Sequence, residues 1–192
     1  MNIKMVLSVV AVGLGAGLLS TTASAGQDTT LVLQMLGEGT QVGTLEDVAK
    51  RTGVDLSKQN LGYSLTDFAC HEMPLIDPST KLQLGKGIDC LAGITPDGNG
   101  GMTLTAVSIF MLPGGIIMST GKTSLPAFIK GVGSGDGYRT HVTGGIPMTD
   151  NVIAATGDFA GMGGKVRLSG MIRAGGENLF FDCLFVLDLK SA

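Results

Sequence analysis

Tryptophan is missing from this sequence, and histidine is scarce, with only His71 and His141 in 192 residues. Two histidines are too few for a dedicated metal site unless carboxylates join them, and neither H-E-x-x-H nor C-x-x-C spacing occurs. The G-x-S-x-G turn that carries the nucleophile of many hydrolases is also missing. The sequence therefore predicts no metal, no cofactor and no hydrolase chemistry.

Charge is sparse as well, because charged residues make up only 15% of the chain and the formal net charge is −3. Lysine and arginine form no cluster, whereas binding to phosphate backbones needs concentrated positive charge. We therefore expect no nucleic-acid partner. After the first segment of the chain, no apolar run approaches the roughly 20 residues that a membrane-spanning helix needs. We expect no membrane span in the mature protein.

The N-terminus has the pattern of a secretory signal peptide. A short basic start, 1–4, leads into an uncharged run over 5–19, which is followed by Ala23-Ser24-Ala25. Small residues in an A-x-A pattern mark a cleavage site. We expect cleavage after Ala25, and a mature protein that is secreted or periplasmic.

The cysteines are three in number, Cys70, Cys90 and Cys183. An odd count allows at most one internal disulfide. Because Cys70 and Cys90 lie in two consecutive predicted strands, we expect them to form it. The run around Cys183 is apolar and aromatic, which favours a buried free thiol that packs as a small hydrophobic side chain.

Glycine is abundant, with 31 residues, more than twice the usual share of about 7%. The glycines separate apolar runs, as turn glycines do in an all-β fold. The runs predict strands near 65–76, 81–93, 102–112, 115–123, 138–145, 151–156, 164–174 and 178–189. Apolar and polar residues alternate over 164–174, which indicates one buried face and one wet face.

The segment 26–62 differs from the rest of the chain. Leu31 to Leu36 has the composition of a strand, and Thr44 to Lys50 reads as a short helix that Thr44 caps, with Asp47 three residues later. We expect this segment to be an N-terminal extension that packs on the domain rather than part of its core sheet. The predicted organisation is a signal peptide over 1–25, this extension over 26–62, and one barrel domain over 63–192.

The segment Thr156-Gly157-Asp158-Phe159, continuing through Gly164 to Leu168, resembles a late segment of the allene oxide cyclase and dirigent protein barrels. The flanking order is similar too, with Gly115 to Thr123 before it and the aromatic strand Leu179 to Leu189 after it. Earlier, His71 to Leu75 resembles the first strand of that family. The resemblance covers about residues 63 to 190 and implies an eight-stranded antiparallel β-barrel, in agreement with the strand count above.

The resemblance also implies an apolar lumen for a lipid-like or phenylpropanoid-like molecule, and a homo-oligomer, a trimer or a dimer. In the plant cyclases a glutamate on the first strand helps to polarise the substrate, and Glu72 is the matching position. Two residues on, this chain has Pro74 where the cyclases have asparagine. If the protein is an enzyme, the resemblance makes it a cofactor-independent isomerase or cyclase with Glu72 as its catalytic residue.

Two hypotheses follow for the function. In the first, the lumen binds a small apolar molecule, with His71, Pro74, Tyr138, Phe110 and Phe185 as the candidate ligand-binding residues. A carboxylate that points into such a lumen has a raised pKa and can act as an acid or a base. Periodicity does not show which face of its strand lines the lumen, and the alternative for Glu72 is a solvated or ion-paired residue at the rim. In the second, the protein is a non-catalytic structural or surface-interaction barrel. A pocket in the lumen favours the first hypothesis, whereas a lumen filled by Phe, Met and Leu together with an exposed apolar patch favours the second.

Overall fold

The computed structural model describes residues 28–130, 138–146, 149–174 and 178–191. The predicted signal peptide, 1–25, lies outside these residues. The described chain contains one α-helix, α1 (Leu45–Thr52), and two short 3₁₀ turns. Its strands are β1 (Thr29–Glu38), β2 (Thr40–Thr44), β3 (Ala69–Ile76), β4 (Gln83–Pro96), β5 (Met102–Leu112), β6 (Gly115–Leu125), β7 (Ile129–Lys130), β8 (Tyr138–Ile146), β9 (Val152–Ala155), β10 (Met162–Ala174) and β11 (Phe180–Ser191). No helix within the described ranges is long and apolar enough to cross a membrane.

Eight of these strands close into an antiparallel barrel, as predicted. Their order around the wall is β8, β10, β11, β1, β3, β4, β5 and β6, and pairing of β6 with β8 closes the ring. We call these eight the wall strands. A barrel of this size has an interior that its own side chains can fill or that can hold one small ligand.

Two of the predicted strands have other roles than expected. β1 is a wall strand, because it pairs with β11 over its whole length, Thr29 to Glu38. The expectation that all of 26–62 packs on the domain is therefore wrong for this strand. Conversely, the predicted strand 151–156 forms the short β9, which pairs with the first half of β6, whereas β8 pairs with the second half.

Alternation along β10 and β11 sets which residues face the lumen. Val166 and Leu168 are buried on the inner face, whereas Lys165 is on the outer face. Because directly opposite residues of paired strands share a face, the register carries this assignment around the barrel. The buried lumen residues are Leu33, Met35, Met73, Leu75, Leu104, Ala106, Phe110, Ile117, Leu125, Val142, Phe159, Val166, Leu168, Ile172, Phe181, Cys183, Phe185, Leu187 and Leu189.

β2 extends the sheet by pairing with β3, so the expectation of an extension outside the core sheet is also wrong for β2. α1 and the loop that follows it cover the outside of β3 to β6. α1 begins with the predicted cap, in which the Asp47 N–H donates to Thr44 Oγ1 and the Thr44 N–H donates to Asp47 Oδ2. The helix ends at Gly53, whose φ of 70° favours glycine. A second apolar cluster joins the helix and the following loop to the outer wall: Leu45, Val48, Ala49, Val54, Leu56, Leu61, Phe68, Cys70, Ile88, Cys90, Ala92, Val107, Ile109 and Met118.

The predicted disulfide is present in this second cluster. Cys70 and Cys90 lie directly opposite each other on β3 and β4 and form a covalent bridge. Both are fully buried under the N-terminal segment. Cys183 is a free, buried thiol, as expected.

Candidate functional site

Glu72 faces away from the lumen. It lies on the outer face of β3, where its carboxylate accepts from Arg51 Nη2 of α1 at 3.0 Å and from Lys86 Nζ of β4 at 2.7 Å. These contacts tie the helix to the barrel wall and give Glu72 a structural role. The expectation that Glu72 is a catalytic residue of the lumen is therefore corrected by the direction in which its side chain points.

Pro74 is also misplaced as a ligand-binding residue, because it lies on the same outer face of β3 and is exposed. The backbone of Tyr138 starts β8, but its side chain lies outside the described residues.

Three predicted ligand-binding residues do face the lumen. Phe110 of β5 and Phe185 of β11 are fully buried, and their rings meet edge to face with 5.1 Å between the centroids. His71 of β3 is half-buried, and its ring lies 6.1 Å from that of Phe181. The structure thus brings His71 and two aromatic residues into one interior.

A row of polar side chains crosses the inner wall beside these residues. His71 on β3 is directly opposite Asp89 on β4, Asp89 is opposite Ser108 on β5, and Ser108 is opposite Ser119 on β6. We call these four residues the polar row. Asp89, Ser108 and Ser119 are buried, and Ser108 Oγ donates to Asp89 Oδ1 at 2.8 Å.

Asp89 is the residue of the polar row whose ionised form lowers the stability of the folded protein. Burial raises the pKa of its carboxyl from 3.8 to about 6, although the hydrogen bond from Ser108 lowers it. At about 1.4 kcal/mol for each unit of pKa, its ionised form destabilises the folded state at neutral pH by about 3 kcal/mol. Strongly perturbed groups of this kind concentrate at functional sites, and Asp89 is therefore our leading candidate for a functional residue.

His71 complements Asp89 chemically. Burial lowers the pKa of its imidazole, which keeps the ring neutral near pH 7. Its Nδ1 atom is out of contact with water and has no hydrogen-bond partner among the described residues. A neutral imidazole beside a carboxyl that titrates near pH 6 is suited to moving a proton to or from a bound molecule.

Cys183 lines the lumen close to the polar row, but its thiol is unsuited to nucleophilic chemistry. Burial, followed by the charge of Asp89, raises its pKa to about 12. The thiolate is the reactive form of cysteine. Cys183 therefore acts as an apolar wall residue.

The free space in the lumen is small. A cavity of about 20 Å³ adjoins the polar row at Ser108 and Ser119, with Phe185 and Leu168 on its apolar side. Such a volume holds about one water molecule, whereas pockets for drug-sized ligands measure at least about 300 Å³. The cavity between these described residues does not admit a lipid-like or phenylpropanoid-like molecule unless side chains move. By the criterion stated above, a filled lumen favours the structural or surface-interaction hypothesis, and the ligand-binding hypothesis requires that movement.

Met35 fills part of the lumen beside the polar row, where it packs closely against Gly87. A Cβ at Gly87 would come within 2.6 Å of Met35 Cγ and 2.9 Å of its sulfur. Gly87 lies two residues from Asp89 on the same inner face of β4. Because methionine is flexible and adapts to irregular space, movement of Met35 would open room next to the Asp89 carboxyl.

Next to this cavity, β6 changes its partner from β9 to β8, so its two halves pair with different strands. Asn151 bridges β6 and β10 at this place, since its side chain exchanges two hydrogen bonds with the backbone of Val166 on β10, at 2.9 and 2.7 Å. Its backbone oxygen accepts from the Thr120 N–H of β6 at 3.0 Å. Asn151 also lines the cavity, so this cavity lies next to the place where β6 changes its partner.

Comparison of the chain with protein-family models, with curated proteins and with solved structures gives no match. The resemblance to allene oxide cyclase and dirigent barrels therefore stays a prediction for the family, although the barrel itself is confirmed. Among the described residues, no three His, Cys, Asp or Glu side chains come together in a way that would hold a metal ion.

Sequence reasoning named His71 but passed over Asp89. Two features were visible: Asp89 is the one charged residue of the run Ile88 to Ala92, and it precedes the bridged Cys90. The run is apolar on both faces of the strand, so periodicity did not show that Asp89 points inward. Only the register with β3 and β5 supplies that direction.

Proposed function

We propose that the barrel interior binds a small molecule whose polar group pairs with Asp89 and whose apolar body replaces lumen side chains. The single observation that carries this proposal is the position of Asp89, a buried carboxyl that faces the lumen directly opposite His71 and accepts a hydrogen bond from Ser108 Oγ. Asp89 thereby takes the role that the family resemblance assigned to Glu72.

The surroundings of Asp89 define the class of ligand. Phe110, Phe185 and Met35 offer an apolar wall, while the carboxyl accepts a hydrogen bond. A hydroxylated aromatic or aliphatic molecule satisfies both. Catalysis in such a site would be proton transfer by Asp89 without a cofactor, which is the chemistry of an isomerase or a cyclase.

Export is a further part of the proposal. The Cys70–Cys90 bridge supports it, because disulfides persist in oxidising compartments, and so does the signal peptide pattern. Intact mass measurement of the exported protein is expected to give a chain that starts at Gly26. A full-length chain that stays in the cytoplasm would contradict export.

Titration with 1-naphthol, a small aromatic alcohol, tests the lumen site. We expect weak binding to the native protein and at least tenfold tighter binding to Met35→Ala, since the truncation provides room beside Asp89. Met35→Leu is the matched control, because it keeps the lumen filled. Circular dichroism checks that each variant is folded.

The contribution of Asp89 is tested in the same titration. In the Met35→Ala background, Asp89→Leu is expected to weaken binding of 1-naphthol by about tenfold or more, since a hydrogen bond to a charged group is worth about 1.5–3 kcal/mol. Equal affinity of the variants with and without Asp89 would overturn the proposed site. So would equal affinity of the Met35→Ala and Met35→Leu proteins.

A further inference from the structure

Within the described residues, the N-terminal segment covers the outer surface of the barrel on one side but not on the other. It covers β3 to β6, whereas the second apolar cluster, as far as the structure describes the chain, includes no residue on the outer face of β1, β11 and β10. On this outer face the Arg173 guanidinium lies over the Phe180 ring, 4.8 Å from its centroid. Val32, Met171 and Leu184 are exposed by 42, 38 and 38%. We call this surface the open face, and its apolar residues are Val32, Leu36, Met171, Phe180, Leu184 and Val186.

These residues form one continuous patch. The register places Val186 opposite Val32 and places Leu184 between Gln34 and Ser169 on the neighbouring strands. At one end, a surface hollow of about 130 Å³ lies between Met171, Arg173, Phe180 and Asp182. Contiguous apolar surface of this kind marks sites of interaction.

Two polar atoms of the open face have no hydrogen-bond partner in the part of the chain that the structure describes. Gln34 Nε2 donates to Asp182 Oδ1 at 2.7 Å, but Gln34 Oε1 is shielded from water and unpaired. Arg167 Nη2 pairs with Asp188, while Arg167 Nε is shielded and unpaired. Both atoms are shielded within a single copy, so a second surface would give them partners only if the Gln34 and Arg167 side chains turned outward.

Charges on the open face are divided by strand. The outward charged residues of β10 are cations, whereas Glu38 of β1 and Asp182 and Asp188 of β11 are anions; Lys190 at the end of β11 is the exception. The cations of β10 are Lys165, Arg167 and Arg173. Under a rotation that exchanges β10 and β1, the cations of β10 in one copy face the β1 side of the other copy, where Glu38 is the anion.

We propose that the open face binds a second copy of this chain about a two-fold axis parallel to the strands. Such an axis lays β10 of one copy over β1 of the other. Because Arg173 and Glu38 are both opposite Phe180, they lie at the same height, and Arg173 of each copy meets Glu38 of the other. The same axis lays β11 of one copy over β11 of the other, so Asp182 and Asp188 of the two copies face each other, while Gln34 Nε2 and Arg167 Nη2 donate to these carboxylates within each copy. Aligned packing of two sheets at about 10 Å is a common arrangement.

The area of the open face indicates how tightly the two copies are expected to bind. Three strands spaced about 4.8 Å apart, over ten residues of about 3.3 Å each, present roughly 450 Å² per copy. The total of about 900 Å² is close to the lower limit for a specific interface. We therefore expect a dimer that dissociates in the micromolar range.

Sedimentation velocity over a concentration series tests this interface. The native protein is expected to shift from monomer to dimer, and Leu184→Lys is expected to weaken the dimer at least tenfold. The matched control is Ile94→Lys, since Ile94 is an exposed apolar residue of β4, a strand that is not part of the open face. A monomer at all concentrations, or equal effects of the two variants, would overturn the proposal.

A charge exchange tests the axis. Glu38→Arg and Arg173→Glu are each expected to weaken the dimer, and the double variant is expected to restore it, because the reversed charges meet again across the interface. Failure of the double variant to recover would overturn the strand-parallel axis. A trimer would overturn the two-fold arrangement as well.

Discussion

Asp89→Asn is expected to stabilise the protein at neutral pH by up to about 3 kcal/mol. Asparagine keeps the shape of the side chain and the oxygen that accepts from Ser108 Oγ, but it cannot ionise. The variant therefore removes the desolvation penalty and keeps the hydrogen bond. Most core substitutions destabilise a protein, so a gain of this size would be unusual and specific to a buried charge.

The pH dependence follows from the direction of the pKa change. Folding raises the pKa of Asp89 from 3.8 to about 6, so the folded state holds this proton more tightly than the unfolded state. The stability that this bound proton contributes to the folded state is complete below about pH 4 and is lost as the pH rises through about 6. We expect the native protein and Asp89→Asn to be equally stable near pH 4 and to diverge above it.

Denaturant unfolding at several pH values between 4 and 8 measures this difference. Asp150→Asn is a suitable control, because Asp150 is exposed and its removal changes the net charge by the same amount. If Asp89→Asn proves less stable than the native protein at pH 7, the description of Asp89 as a destabilising buried carboxyl is wrong.

Reduction of the Cys70–Cys90 bridge is expected to lower the free energy of unfolding by about 3 kcal/mol. The bridge spans 20 residues, and closing a loop of this length restricts the unfolded chain by about that amount. The bridge also joins the two strands on which the N-terminal segment packs. We expect the reduced protein to lose part of the packing between α1 and the barrel.

Urea unfolding with and without dithiothreitol measures the effect of the bridge. Cys70→Ala/Cys90→Ala is the control, since it has no bridge to reduce and should not respond to dithiothreitol. Cys183 remains in both proteins, so its thiol does not contribute to the difference. An unchanged unfolding midpoint of the native protein on reduction would contradict this expectation.

Much of the barrel was predictable because its strands are long and glycines separate them. Alternation over 164–174 correctly assigned the faces of β10, and the last strand, the cap of α1 and the disulfide were also confirmed. β1 was recognised as a strand but not as part of the wall. Its partners lie at the far end of the chain, and local pattern carries no information on such pairing.

The site was less predictable, for a physical reason. β3 and β4 are buried on both faces, one by the lumen and the other by the N-terminal segment. Hydrophobic alternation disappears in such strands, and Glu72 and Asp89 are then equal candidates for a carboxyl that points inward. Tertiary pairing separates them: Glu72 meets two cations outside, and Asp89 meets a serine inside.

The location of a bound molecule tests the proposed function most directly. The methionine methyl groups report it by NMR in the native protein, since Met35 and Met73 lie in the lumen and Met171 lies on the open face. On addition of 1-naphthol we expect the Met35 and Met73 methyl signals to shift while that of Met171 stays in place. Shifts confined to Met171, or no shift of Met35 and Met73 at saturating 1-naphthol, would contradict a binding site in the lumen.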